Sequence, residues 1–103
     1  MDIEGIINEN EKNVFFFSKS GCTYCDALEN ALITLNIPYT KIPMIFPEEI
    51  AELKRTTKYG TFPQLFFGKD DFVGGFAEFN ILSFTTKLQE RLNKLGISII
   101  YDF

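Results

Sequence analysis

Val14 to Phe17 is an unbroken run of four apolar, strand-forming residues set between Asn13 and Ser18. A run this short and continuous fits a strand buried on both faces. After a break at Ser18 to Gly21 the pattern changes to helical spacing. Leu28, Ala31, Leu32 and Leu35 share one face, and Asn36 and Pro38 end the segment. Tyr39 to Ile42 reads as a second strand. Strand, helix and strand in succession imply a parallel pair joined by a right-handed crossover.

The remaining segments extend this frame. Ile3, Ile6 and Ile7 fall on one side of a short initial helix. Pro47 suits the first turn of another helix, where Glu48 and Glu49 favour the positive end of the dipole and Ile50 and Leu53 point inward. Thr61 to Gly68 contains a proline near its start and continues as an apolar strand. Lys69 to Asp71 make a turn, and Phe72 to Gly74 begin a return strand. Ile81, Phe84, Leu88, Leu92 and Leu95 predict one final helix capped by Gly96. The order α-β-α-β-α-β-β-α places the chain in the α/β class, with a central four-stranded mixed sheet flanked by helices. Its length of 103 residues predicts a single domain, 1–103. The apolar tail, Ile97 to Phe103, either folds back on the body or meets a partner.

With 46% hydrophobic residues and 12 Phe, the chain has the material for one packed core and is too apolar for disorder. Ten Lys plus Arg against 14 Asp plus Glu give a net charge of −4. That balance offers no electrostatic reason to bind nucleic acid. The first residues carry Asp2, Glu4, Glu9 and Glu11 and lack the basic start and apolar centre of a signal peptide. The apolar runs are too short to span a bilayer. The expectation is a soluble, cytoplasmic protein in a reducing compartment, without membrane association.

The two cysteines, Cys22 and Cys25, stand between the buried strand and a helix in the order Lys19, Ser20, Gly21, Cys22, Thr23, Tyr24, Cys25. A cross-link between them closes a tiny loop, where disulfide stabilisation is smallest, so reaction is the better reason for the pair. A helix N-terminus offers unpaired N–H groups and partial positive charge that stabilise a thiolate, the nucleophile of disulfide exchange. Cys22 at that end is the attacking thiol, with Lys19 adding positive charge nearby. Cys25, one turn further in, is the resolving thiol. Structural zinc wants four ligands, usually Cys and His, and this chain has no His and no further Cys; no metal site is expected. Inert buried cysteines are the other reading, and the strand–turn–helix placement argues against it.

Two further signals are weaker alone. In Thr61, Phe62, Pro63 the proline lacks an N–H for a ladder and must sit at a strand start or edge; spacing alone favours an ordinary strand entrance. Gly74 and Gly75 before Phe76 allow close backbone approach, and the following helix start can hold a carboxylate. A plain tight turn explains them equally well.

Joined together, K-x-x-C-x-x-C, T-F-P and G-G before a last helix resemble the glutaredoxins over nearly the whole chain. Tyr24 within the cysteine motif is typical of that family, whose fold is thioredoxin-like. The resemblance implies that Pro63 is a cis-proline facing the active site and that Phe62 pairs its backbone with the cysteinyl part of glutathione. It implies that Lys19 meets the glycyl carboxylate, and that Gly75, Phe76, Ala77 and Glu78 hold the γ-glutamyl end. Tyr24 joins this glutathione-binding set. Three departures stand out. Thr23 replaces the commonest Pro, Phe62 the more usual Val, and Ala77 and Glu78 a frequent pair of aspartates.

The function so implied is glutathione-dependent thiol–disulfide exchange on disulfide-containing or glutathionylated proteins. The protein would be a monomer with glutathione as reductant and no tightly bound cofactor. Two alternatives stay open. Thr23 keeps available a [2Fe–2S] cluster shared between two subunits. The apolar tail suits a dedicated electron donor to one large protein such as a ribonucleotide reductase.

Overall fold

The computed structural model describes residues 2–99. Strand β1 (Val14–Lys19) lies at the centre, and its alternation decides the layering. Val14 and Phe16 face one cluster and Phe15 and Phe17 the other, because successive side chains leave opposite faces of a strand. The elements follow as α1 (Ile3–Glu9), β1, α2 (Thr23–Thr34), β2 (Thr40–Met44), α3 (Pro47–Thr57), β3 (Gln64–Phe67), β4 (Phe72–Gly74), α4 (Phe76–Ser83) and α5 (Lys87–Asn93).

The sheet order is β2-β1-β3-β4. β1 runs parallel to β2, with Phe15 opposite Thr40 and Lys19 opposite Met44. It runs antiparallel to β3, with Val14 opposite Phe67 and Phe17 opposite Gln64. β3 and β4 pair antiparallel, with a register irregularity at Leu65 and Phe66. On one face Leu28 and Leu32 of α2 meet Leu65, Phe67, Phe79, Leu88 and Leu92. On the other, Ile3 of α1 and Leu53 of α3 cover Phe15, Phe17 and Phe66, with Ile6, Ile7 and Ile50 packed around them. The rings of Phe15 and Phe66 stack at 4.7 Å. This is the expected α/β arrangement of a thioredoxin-like fold. No helix among the described residues is long and apolar enough to cross a membrane.

Most local expectations hold. Pro47 occupies the start of α3, and Lys58 leaves it in the left-handed conformation. The final helix is the exception: it is two helices, broken at Phe84–Thr86. The Ser83 and Thr85 hydroxyls donate back to the carbonyls of Asn80 and Leu82, at 2.6 and 2.9 Å. Thr85 Oγ1 also accepts the Lys87 N–H at 3.2 Å. Such side-chain-to-backbone bonds compete with the helix ladder, and two consecutive β-branched threonines weaken it further. The apolar stripe therefore does not run through. Ile81 and Phe84 are 67% and 83% exposed, while Phe79, Leu88 and Leu92 are buried. Gly96 follows α5 with φ of 75°, and the Ile97 N–H reaches back to the Leu92 carbonyl at 3.1 Å.

Ile97 packs against the core and Ile99 is buried in it. The Ile99 N–H donates to Gln89 Oε1 at 2.8 Å, and Gln89 Nε2 donates to the Ile97 carbonyl at 3.0 Å. The first part of the tail thus covers the chain's own core; residues 100–103 lie outside the described residues.

Candidate active site

The cysteine pair sits where β1 passes into α2. Cys22 is the N-cap residue of α2 in an extended conformation, and its Sγ accepts the Cys25 N–H at 3.1 Å. An N-cap position normally takes a side-chain oxygen in this role, and here a sulfur satisfies one of the helix's orphan donors. The two residues are joined by a disulfide, with Cα atoms 5.2 Å apart. Cys22 is half-buried and Cys25 is 2% exposed. Cys25 belongs to the Phe15–Phe17 cluster, and Cys22 packs at its edge, in the cluster that also contains Phe62.

Beside the pair opens a cavity of about 270 Å³ lined by Tyr24, Tyr59, Thr61, Phe62, Gly75, Phe76 and Ala77. Three segments build it: the first turn of α2, the loop ahead of β3, and the start of α4. The Phe62–Pro63 peptide is cis, and both residues are buried. The exposed ring of Tyr24 lies 6.3 Å from that of Phe76 at a shallow angle of 26°. The Lys19 ammonium stands 5.6 Å from the centre of the Phe62 ring. A larger cavity, about 560 Å³, is lined by Glu11, Lys12, Asp71, Arg91 and neighbouring residues, around the start of β1 and the end of β3. The cysteines lie at the opposite end of β1 from it, and the smaller cavity, which Tyr24 of the C-x-x-C segment lines, is the candidate site.

Glu78 holds two of the lining residues, Gly75 and Tyr59. Its Oε1 accepts the Gly75 N–H at 2.8 Å and a short hydrogen bond from the Tyr59 hydroxyl. The Gly75 N–H, followed by the Tyr59 hydroxyl, holds the Glu78 carboxyl below its usual value. Burial first, and then the bond to Glu78, pushes the Tyr59 phenol up.

Five of the residues named from sequence, Tyr24, Phe62, Gly75, Phe76 and Ala77, therefore wall one cavity. Pro63 follows Phe62 directly, Glu78 touches the site through Gly75 and Tyr59, and Lys19 stands against Phe62. Sequence reasoning missed Tyr59 as a site residue. The only signal was an aromatic residue in the polar stretch Thr56 to Thr61, with nothing local to say what it touches.

A thioredoxin-like sheet with a C-x-x-C pair capping the helix after its central strand, and a cis-proline ahead of β3, defines a thiol–disulfide oxidoreductase. Residues 14–73 match the Glutaredoxin family model, and the chain belongs to the glutaredoxin family. Glutaredoxin-2 of Schizosaccharomyces pombe is 30% identical over 97 residues, covering 90% of this chain and 86% of that protein. The buckwheat glutaredoxin–glutathione complex superposes with a TM-score of 0.79 at 24% identity, covering 93% of this chain and 88% of that one. The glutaredoxin of Brucella melitensis does so at 0.70 and 29% identity, covering 85% of this chain and 95% of that one.

Proposed function

We propose that this chain reduces glutathione mixed disulfides and protein disulfides at the expense of glutathione, through Cys22 and Cys25. The observation that carries the reading is the inequality of the two sulfurs. Cys22 is accessible at a helix end and faces an N–H donor, while Cys25 is enclosed in the core. The donor and the helix end favour a thiolate at Cys22, and a thiolate that solvent can reach is the nucleophile.

On a glutathionylated protein, the Cys22 thiolate attacks the glutathione sulfur. A Cys22–glutathione disulfide forms, and the protein leaves as a thiolate that takes up a proton. A second glutathione thiolate then attacks the bound glutathione sulfur, releasing glutathione disulfide and restoring Cys22. On a protein disulfide, Cys22 joins one protein sulfur and the other leaves as thiolate. Cys25 then attacks the Cys22 sulfur, frees the remaining protein thiol and leaves the Cys22–Cys25 disulfide. Two glutathiones reduce that bond in successive exchanges and end as glutathione disulfide.

Glutathione suits the cavity next to Cys22. Its cysteinyl backbone would run beside Phe62, one carboxylate toward Lys19, and its γ-glutamyl end toward Gly75 to Glu78. The similar buckwheat protein, seen as a glutathione complex, supports the same ligand.

Turnover of a small glutathione mixed disulfide, coupled to glutathione, tests the reading with three proteins. Cys22→Ser is expected to lose activity on the order of a thousandfold or more, since no comparable nucleophile remains. Cys25→Ser is expected to keep turnover within a fewfold, because glutathione itself resolves that intermediate. Undiminished turnover by Cys22→Ser, or wild-type protein inert with glutathione, sinks the proposal.

A further inference from the structure

The loop between α3 and β3 lines the cavity with two aromatic residues, Tyr59 and Phe62, and Tyr59 alone carries a hydroxyl. The Tyr59 ring meets Phe72 of β4 edge-on, with centroids 5.3 Å apart and planes at 73°. Its hydroxyl donates to Glu78 Oε1, the same oxygen that accepts the Gly75 N–H at 2.8 Å. One carboxylate oxygen thus ties the loop ahead of Pro63 to the entrance of α4. These two segments supply six of the cavity's lining residues: Tyr59, Thr61, Phe62, Gly75, Phe76 and Ala77.

Gly75 offers independent support for this clasp. Its φ of −103° and ψ of −162° are extended values open to any residue, so the backbone does not call for glycine there. A Cβ at position 75 would come within 2.7 Å of the Tyr59 hydroxyl oxygen. Room for that hydroxyl is what the missing side chain provides. The Tyr59 backbone, meanwhile, is held without the hydroxyl. Its N–H donates to Thr57 Oγ1 at 3.3 Å, and its carbonyl accepts from Gln64 Nε2 at 2.8 Å. Removing the hydroxyl therefore leaves the loop anchored and frees only the clasp.

We propose that Tyr59 is a positioning residue for the thiol substrate: by holding Glu78 against the α4 entrance it fixes the end of the cavity that receives the amine-bearing end of glutathione. This rests on reading the cavity as the glutathione site. A carboxylate pinned at that end meets a ligand ammonium, the aromatic walls add their π faces, and the first N–H groups of α4 remain for the ligand's carboxylate. Without the clasp, Glu78 keeps only the Gly75 N–H, its carboxylate is less narrowly placed, and the ligand must bear more of the cost of ordering it. The loss falls on binding, since Cys22 is activated by the start of α2 and the Cys25 N–H, neither of which the clasp supplies.

The experiment compares wild type, Tyr59→Phe, Gly75→Ala and the double variant. It reads kcat and KM for glutathione in the mixed-disulfide assay and the rate of Cys22 alkylation by iodoacetamide in the reduced proteins. Tyr59→Phe is expected to raise KM about tenfold, as for loss of one hydrogen bond to a charged group. Its kcat should stay within about twofold and its alkylation rate unchanged, the pattern of lost binding. Gly75→Ala should raise KM too, and the double variant should be no worse than the weaker single, because both remove the same contact. An unchanged KM in Tyr59→Phe, a parallel fall in alkylation, or multiplying KM effects in the double variant overturns the inference while leaving glutathione turnover established. Wild type that is alkylated at Cys22 yet inert with glutathione overturns the glutathione reading and this one with it.

Discussion

Glu29 and Glu78 both sit where neighbours favour the charged carboxylate. Tyr39 Oη donates to Glu29 at 2.7 Å and the Lys41 ammonium at 3.1 Å, joining α2 to β2. These bonds, the Tyr39 one first, hold Glu29 below its usual value. Glu78 is lowered by the Gly75 N–H and then by Tyr59. A depressed folded-state pKa stabilises the fold above the unfolded value, about 4.3 for Glu, and that stabilisation is lost as pH falls through the folded value. The melting temperature of wild type is accordingly expected to drop on acidification below roughly pH 4. Glu29→Gln and Glu78→Gln should each flatten that drop, measured by thermal melts from pH 7 downward. An acid limb identical in all three proteins rejects the account. At this scale the site was legible where one short motif holds the partners: Cys22 and Cys25 share one helical turn. It was not legible for Tyr59, whose partner Glu78 is 19 residues away in sequence, beyond any local spacing rule.

Among the elements, β1, α2 and α3 follow their local patterns, and the C-terminal helices do not. A periodicity of three and four over Ile81, Phe84, Leu88 and Leu92 describes an inward stripe only if one helix axis runs through. The hydroxyls of Ser83 and Thr85 bend the chain between Phe84 and Leu88, so the second helix starts with its own phase. The two halves should respond differently to truncation. Leu88→Ala removes a fully buried side chain and is expected to cost about 2–5 kcal/mol. Phe84→Ser changes an 83% exposed residue and should stay within about 0.5 kcal/mol. Urea unfolding of both variants checks this, and equal losses would restore the continuous helix.

Over the whole molecule, the two faces of the sheet are closed by segments distant in sequence. α5 is fastened to the turn before β4 by the Arg91 guanidinium, which bonds Asp71 through two nitrogens and lies 5.5 Å from the Phe67 ring centre. Ile97 and Ile99, which follow α5, pack on the same face. Because Ile99 is 8% exposed and its backbone is tied to Gln89, Ile99→Ala is expected to lower stability by about 2 kcal/mol, read by urea unfolding. A tail reserved for a partner would instead leave stability unchanged at this position.

The sequence alone determined what depends on neighbours within a turn or a strand. That covers the two-faced burial of Val14 to Phe17, the amphipathic face of α2, the start of α3 at Pro47, the turn at Lys69 to Asp71 with its return strand from Phe72, and a cysteine at a helix N-terminus. Each is a matter of side-chain period, capping and turn chemistry, which a short stretch of chain carries in itself. Tertiary structure decided the order β2-β1-β3-β4, the enclosure of Cys25 against the accessibility of Cys22, and the cavity beside them. It also decided that Glu78 serves Gly75 and Tyr59 at once. Those features arise where segments from different parts of the chain meet, and packing and hydrogen-bond satisfaction across them are settled only when the sheet and its two helical layers close.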